Sequence, residues 1–199
     1  SHHQSRLTGY PGNLAAANAL AESLSAIGVG EILTHHFSTP VPIDRGFHLT
    51  TSRDSIRLYG LWPNLVRTVT LPPNGIEGEL VDVGNGAING LKGVVLKDRI
   101  ALMDYQSGRN WLDLFHLGVR AVIFKENRPT HRKESERKFL DVPADLPRFY
   151  AIARDSSRLS ALSGSNTRVM LTGEMPWVEA TGKNIFGIIE GTHHAHKKE

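Results

Sequence analysis

The stretch DRIALMDYQSGRNWLDLFHLGVRAVIF, residues 98–124, constrains the fold more than any other part of the chain. Residues 99–104, with an apolar run at 100–103, predict a buried strand, residues 105–108 a loop, and residues 109–118 a short helix. Residues 119–124 predict a second apolar strand. A strand, a helix and a strand joined this closely form a βαβ crossover, which requires two parallel neighbouring strands. The sequence therefore predicts an α/β fold.

A weaker unit of the same kind follows this crossover. Residues 147–152 predict a strand, Ser156 or Ser157 is expected to cap a helix, and residues 167–173 predict another strand. Short β-like runs separated by turns begin near residue 47. Together these elements predict a compact module with a mixed sheet and a few short helices.

The two ends of the chain predict elements that do not complete a fold. An alanine-rich helix is expected from about Asn13, its N-cap, to residue 27, followed by a strand in residues 31–37 and a break at Pro40 and Pro42. The apolar stripe of this helix is Ala17, Leu20, Leu24 and Ile27. The last predicted strand is NIFGIIEG. Since these elements can bury little apolar surface by themselves, we expect a central module inserted into another domain. The expected module is residues 39–180, and residues 1–38 and 181–199 are the segments that flank it.

Composition narrows the function classes. The chain has no cysteine, which excludes disulfides, thiolate zinc sites and cysteine nucleophiles. The formal net charge is only +3, and the densest basic stretch, residues 128–138, is interrupted by Glu134 and Glu136 and has no interleaved aromatic residues. We interpret this stretch as a solvated loop or helix face, and expect no nucleic-acid partner.

Histidines are the candidate metal ligands. His2–His3 and His35–His36 are adjacent pairs, and adjacent side chains diverge on a strand, whereas a zinc site needs three or four ligands on a rigid frame. The terminal group, His193, His194 and His196, precedes two lysines that would repel a cation. We therefore assign none of these histidines as metal ligands.

Two further motifs lack the pattern that their chemistry requires. Ser107, Asp104 and His116 supply the residue types of a hydrolytic triad, but Ser107 is not in a G-x-S-x-G turn, and His116 lies between Phe115 and Leu117 on the predicted helix. The run GNGAING lacks the GxGxxG spacing and opens no helix, which favours a turn between strands over a phosphate site. No catalytic residue and no cofactor site is assigned in this chain.

Several stretches resemble zinc aminopeptidases of clan MH, a group that includes glutamate carboxypeptidases. The run SRLTGYPGNLAAANALAESLSAIGV resembles the opening of these secreted or membrane-anchored enzymes. Residues 78–124 and 146–162 resemble the protease-associated domain inserted into many of them, with residues 99–103 and 118–123 in place of its core strands. The run NIFGIIEGT resembles the strand that re-enters the peptidase domain.

The resemblance implies a protease-associated module of the swivelling β/β/α type, flanked by an N-terminal helix and a C-terminal strand of a missing peptidase domain. It implies an exported parent enzyme with two zinc ions and a water activated by a glutamate. The first zinc histidine would lie one strand further on, in an A-H-x-D segment, so this chain alone is expected to be inactive. The module would cover the active site and shape which peptide substrates enter.

Within that module, the resemblance makes the loop residues Tyr105, Arg109 and Trp111 candidates for substrate contact, with a core position as the alternative for Trp111. Residues 128–138 are a second candidate surface. Two other functions stay open on the sequence: a freestanding peptide-binding or sorting module without peptidase activity, and a small enzyme with a site that no motif reveals.

Overall fold

The computed structural model describes residues 6–61, 68–129, 132–138, 145–165, 167–189 and 191. The chain divides into two compact units. Unit 1 comprises residues 1–43 and 177–199, and unit 2 comprises residues 44–176. The segment that forms unit 2 is therefore inserted in sequence between the two parts of unit 1.

Unit 1 consists of helix α1 (Pro11–Ala26) and a ribbon of two antiparallel strands, β1 (Glu31–Pro42) and β9 (Trp177–Ile188). The two strands pair along their whole length, from Glu31 opposite Ile188 to Pro42 opposite Trp177. The expected segment limits at 38/39 and 180/181 fall inside these strands, whereas the two units divide at 43/44 and 176/177.

The predicted break at Pro40 and Pro42 is wrong, because β1 continues through both prolines. The strand has β9 as its one partner among the described residues, and the two prolines are two positions apart. Their missing N–H groups therefore fall on the same edge, and a strand with one partner is where a sheet accommodates proline.

The predicted helix is present but begins earlier than expected. Pro11 is its first residue, a position that proline favours, and Tyr10 rather than Asn13 is the N-cap. The Asn13 amide instead donates a hydrogen bond to the Arg6 carbonyl. Leu20 is half exposed, so the predicted apolar stripe is only partly covered within unit 1.

Unit 2 is a closed barrel with short helices around it. Its strands are β2 (Gly46–Thr50), β3 (Ser55–Gly60), β4 (Ile76–Asp82), β5 (Ile100–Asp104), β6 (Ala121–Lys125), β7 (Arg148–Ala151) and β8 (Arg168–Glu174). Its helices are α2 (Trp111–His116), α3 (Arg132–Glu136) and α4 (Ala153–Gly164), with a 3₁₀ turn at Ile88–Leu91.

The barrel mixes parallel and antiparallel pairing. Its order is β2-β3-β7-β6-β5-β4-β8, closed by pairing between β8 and β2. Strands β4, β5, β6 and β7 are parallel neighbours, and the remaining pairs are antiparallel. The predicted β5–α2–β6 crossover is confirmed, since these strands are parallel and adjacent. The mixed sheet is also confirmed, but its closure was not predicted.

Both faces of the parallel strands are buried. Ile100 and Leu102 of β5 belong to one apolar cluster, and Ala101 and Met103 belong to a second one that also contains Trp111. This explains why β5 is a continuous apolar run rather than an alternating one.

The second predicted strand–helix–strand unit is present as β7, α4 and β8, but its two strands are not neighbours. Strand β7 lies between β3 and β6, and β8 lies between β4 and β2. The N-cap of α4 is Ile152 rather than Ser156 or Ser157. Ser156 lies inside the helix, and its hydroxyl donates a hydrogen bond to the Glu126 carbonyl. No helix among the described residues is both long and apolar enough to cross a membrane.

Candidate functional site

The loop of residues 105–110 joins β5 to α2 at the carboxyl end of the parallel strands, where α/β sheets commonly place ligands. Tyr105 opens this loop, and it is buried with its ring edge-on against Phe124 and Tyr150. Its hydroxyl donates a hydrogen bond to Ser135 Oγ at 2.8 Å. The ring is therefore part of the core, and the hydroxyl ties the loop to α3.

Trp111 closes the same loop and has no exposed surface. Its Nε1 donates a hydrogen bond to the Arg137 carbonyl at 3.0 Å. The Arg148 guanidinium lies over the indole ring, 4.6 Å from its centroid, and donates to the Lys138 carbonyl. Burial lowers the pKa of Arg148 to about 10, so the group stays protonated at neutral pH. Trp111 thus fixes residues 137–138 beside the start of α2.

A buried ion pair lies beside Tyr105, with Lys138 Nζ 5.3 Å from the centroid of the Tyr105 ring. Lys138 Nζ is 2.6 Å from Glu134 Oε1, and both side chains are more than nine-tenths buried. Lys138 also donates to Ser107 Oγ at 3.2 Å and to the Gly108 carbonyl at 2.9 Å, while Glu134 accepts from the Gly108 N–H at 2.7 Å. We call Glu134, Lys138, Ser107 and Gly108 the clasp, because they hold the loop to residues 132–138.

The two charges of the clasp, on Glu134 and Lys138, stabilise each other. Burial alone would raise the pKa of Glu134, but hydrogen bonds from Lys138 and from the Gly108 amide outweigh it and hold this pKa below its usual value. Burial lowers the pKa of Lys138, and Glu134 offsets part of this effect. The Lys138 ammonium has three oxygen acceptors for its three N–H donors, which is the arrangement a protonated amine requires.

The structure separates the three predicted contact residues. Tyr105 and Trp111 are buried, and Arg109 alone of the three presents its side chain to solvent. Trp111 occupies the core position that was its alternative. A role of this loop in substrate contact stays a prediction, and in this conformation the exposed Arg109 is the residue of the three through which contact would occur.

The triad residue types are not brought together. Ser107 Oγ accepts from Lys138, Asp104 lies 3.6 Å from Lys125 Nζ, and His116 packs its ring against Phe115 at the end of α2. The glycine-rich run forms a turn, in which the Gly84 N–H bonds Asp82 Oδ1, followed by the 3₁₀ turn. The turn interpretation of that run is therefore confirmed.

The described residues do not provide a zinc site. They contain no cluster of three or more His, Asp or Glu side chains arranged to hold a metal ion. His35 and His36 are consecutive on β1, opposite Asn184 and Lys183, so their side chains leave opposite faces of the ribbon. The terminal histidines and His2–His3 lie outside the described residues.

Sequence reasoning missed the clasp. Charged residues are almost never fully buried unless they are paired, so Glu134 and Lys138 were assigned to a solvated surface. Their i,i+4 spacing was the available signal, since a glutamate four residues before a lysine on a helix favours an ion pair. That spacing predicts the pair but not its burial.

Exposed cations lie on the loop of residues 105–110 and on the segments that contact it. Arg137 Nη1 would lie 3.8 Å from a Cβ atom at Gly108, so this side chain crosses the loop. The Arg128 carbonyl accepts a hydrogen bond from the Gln106 amide, which brings residue 128 to the same loop. We call the exposed side chains of Arg109, Arg128, Lys133 and Arg137 the basic surface.

Comparison with known proteins gives fold relatives but no sequence family. No family model and no curated protein matches the chain. A zinc aminopeptidase structure from Bacillus subtilis matches with a TM-score of 0.65 at 18% identity, over 94% of this chain and 44% of that one. A peptidase M28 precursor from Shewanella amazonensis SB2B matches with a TM-score of 0.52 at 15% identity, over 92% of this chain and 46% of that one.

These matches define the class of fold. The chain has an α/β fold shared with one part of these peptidase structures, and it spans less than half of their length. At such low identity the likeness concerns the fold alone.

Proposed function

We propose that this chain is the non-catalytic, protease-associated part of a zinc-dependent aminopeptidase-like metallopeptidase, together with the segments that flank it. The observation that carries the proposal is the fold match with the Bacillus subtilis zinc aminopeptidase, which covers nearly all of this chain and under half of the other. In this proposal the two zinc ions and the catalytic residues belong to a peptidase domain of the same polypeptide.

The insertion supports this assignment. The segment of unit 2 leaves unit 1 after β1 and returns at β9, and these two strands pair over their whole length. A module inserted between paired strands can be gained or lost without changing the fold of its host, because the two strand ends are already adjacent. Unit 1 would then be the part that belongs to the peptidase domain.

Uncovered apolar surface on unit 1 also supports it. Among the described residues of this small unit, six large apolar side chains are between 46% and 81% exposed: Leu14, Leu20, Ile27, Phe186, Ile188 and Ile189. Large apolar side chains exposed together are typical of a surface that contacts another domain or protein. The remaining peptidase domain is the partner that would cover these side chains.

Unit 2 would shape the access of peptides to the active site, with the loop of residues 105–110 as its contact region. An exported location of the parent enzyme is part of the same proposal. Neither role requires catalysis by unit 2 itself.

The test compares two versions of the whole gene, each including the coding sequence that flanks this chain. One is unchanged, and in the other residues 44–176 are replaced by a short Gly-Ser turn, which the adjacency of Pro42 and Trp177 permits. We expect both versions to release p-nitroaniline from aminoacyl substrates in a zinc-dependent reaction. The ratio of kcat/KM for long peptides to kcat/KM for short peptides should differ between the deletion and the unchanged version.

Two results would contradict the proposal. Turnover by residues 1–199 alone with added zinc would make this chain an enzyme. A gene without any peptidase domain would favour a freestanding peptide-binding module instead.

A further inference from the structure

The segments that carry the basic surface of unit 2 are held together by hydrogen bonds and side-chain contacts. Gln106 reaches the carbonyl of residue 128, the clasp joins the loop to residues 134 and 138, and the Arg137 side chain crosses Gly108. The loop of residues 105–110 therefore carries Arg109 at its surface, with the other three cations on the segments packed against it.

The charge of this region is unbalanced at its surface and balanced beneath it. Glu134 and Lys138 neutralise each other inside the clasp. Within residues 132–138, Glu136 is an exposed acid, against Lys133 and Arg137, and Arg137 Nη1 also lies 3.5 Å from Glu134 Oε2. Adding Arg109 and Arg128 leaves an excess of positive charge at the surface, which attracts anions over a Debye length of about 8 Å at physiological salt.

The region is also rigid for a loop surface. The loop is fixed at Tyr105 by a hydroxyl bond, at Ser107 and Gly108 by the clasp, and at Trp111 by its indole N–H. A surface whose backbone is already ordered loses less conformational entropy when it binds a partner. The backbone that carries Arg109 is thus ordered before a partner binds.

The surface chemistry favours one class of partner. Tyr105 and Trp111, the aromatic residues that border this loop, are buried and cannot stack on bases, which single-stranded nucleic acids require. Large exposed apolar side chains are absent from the described residues of 104–111 and 128–138, so these residues offer no apolar group for insertion into a lipid surface. Carboxylates on an extended peptide need only the spaced guanidinium and ammonium groups that are present.

We propose that the basic surface binds acidic peptides through their Asp and Glu side chains, and that it favours such substrates in the parent enzyme. The second part rests on the proposed function. The first part concerns this chain alone, so the two can fail separately.

The experiment measures the fluorescence anisotropy of a fluorescein-labelled hexaglutamate peptide titrated with the full chain. A labelled hexaglutamine peptide is the uncharged probe. The variant Arg128→Glu/Lys133→Glu reverses two cations of the basic surface, and Lys92→Glu/Lys97→Glu reverses two exposed lysines elsewhere on unit 2 with the same change in net charge. Circular dichroism confirms that both variants remain folded.

We expect hexaglutamate to bind and hexaglutamine not to bind, with binding that weakens as salt is added. The Arg128→Glu/Lys133→Glu variant should weaken binding by about tenfold, and the lysine pair by less than about twofold, because close charges dominate complementarity. An equal loss in both variants would overturn the proposal, since it would reflect net charge alone. Tighter binding to an oligo-dT of equal charge, or to phosphatidylserine vesicles, would also overturn it.

These outcomes are independent of the whole-gene test. If the chain binds hexaglutamate but no peptidase domain exists, the acidic-peptide site stands and the proposed function fails. If the deletion of residues 44–176 alters peptide selectivity but hexaglutamate does not bind, the proposed function stands and this inference fails.

Discussion

Replacing Lys138 with methionine should destabilise unit 2 by about 3 kcal/mol, because it removes one half of a buried ion pair. Methionine fills a similar volume, but the Glu134 charge would remain where its side chain is 6% exposed. The variant also takes the shared donor away from Ser107 Oγ and the Gly108 carbonyl. Glu134 keeps the hydrogen bond from the Gly108 N–H, and Arg137 Nη1 stays 3.5 Å from its carboxylate. The loss of stability should therefore fall at the lower end of the about 3–5 kcal/mol that breaking a buried ion pair costs.

The measurement is guanidinium unfolding followed by far-ultraviolet circular dichroism, with the midpoint and slope fitted for each variant. The matched control is Lys133→Met, an exposed lysine of the same segment, residues 132–138, which should cost less than about 0.5 kcal/mol. Removing both charges in Glu134→Gln/Lys138→Met should cost less than Lys138→Met alone, because no unpaired charge then stays buried. A loss below about 1 kcal/mol for Lys138→Met, as for a solvated surface pair, would refute the buried clasp.

The pH dependence of the stability difference between Lys138→Met and the native chain is a second test of the buried ion pair. In the native chain the pKa of Glu134 is lowered, so its contribution to stability is complete above the ordinary pKa of glutamate and is lost as the pH falls through the folded-state value. Without Lys138, burial should raise this pKa, and protonation would then favour the folded state. Between about pH 7 and pH 4, acidification should therefore reduce the stability difference between Lys138→Met and the native chain.

Three further substitutions test the barrel and the loop. Gly173→Ala should cost at least about 3 kcal/mol, since φ is +134° and a Cβ atom would lie 2.1 Å from the Gly46 carbonyl oxygen; urea unfolding measures the loss. Trp111→Phe should cost about 2 kcal/mol in the same assay, because it removes the hydrogen bond to the Arg137 carbonyl and part of a buried ring. Asp44→Asn should cost about 2 kcal/mol and speed amide exchange at Gly60. In the native chain, Asp44 Oδ1 accepts from Gly46 N–H and Arg57, and Oδ2 accepts from Gly60 N–H, whereas an asparagine amide has one accepting oxygen.

Each of these substitutions has a matched control. Gly84→Ala has positive φ but open space around it, and should cost only about 1–2 kcal/mol. Trp177→Phe, on an exposed ring, and Asp113→Asn, on an exposed carboxylate, should each cost less than about 0.5 kcal/mol. A control that costs as much as its partner substitution would contradict the contact assigned to that partner.

The parts of the fold that sequence predicts are local ones. The β5–α2–β6 crossover follows from a continuous apolar strand, a short helix and a second apolar strand, all within 26 residues from Arg99 to Phe124. Barrel closure depends instead on β8 pairing with both β4 and β2, which are far away in sequence. Apolar patterning shows which faces of β8 are buried but carries no information on which strands lie beside it.

The candidate site shows the same division between residue type and environment. Arg109 was predicted at a surface and is there, since an arginine between glycine and asparagine has no apolar run to bury it. Trp111 was a contact candidate and is buried, because its indole N–H donates a hydrogen bond to the carbonyl of residue 137, which lies 26 residues later. Glu134 and Lys138 are buried for a related reason: their ion pair closes only when the loop at Gly108 supplies an N–H and a carbonyl.

Strand pairing separates the two tasks that we propose. Every strand of the barrel in unit 2 has two partners, so an extended peptide cannot join that barrel as an added strand. Recognition by unit 2 must therefore use side chains and loop backbone, which is where the basic surface lies. The β1–β9 ribbon of unit 1 instead has two outer edges without partners among the described residues, and an open edge is what a larger sheet needs to extend. Docking to a peptidase domain thus suits unit 1, and contact with substrates suits unit 2.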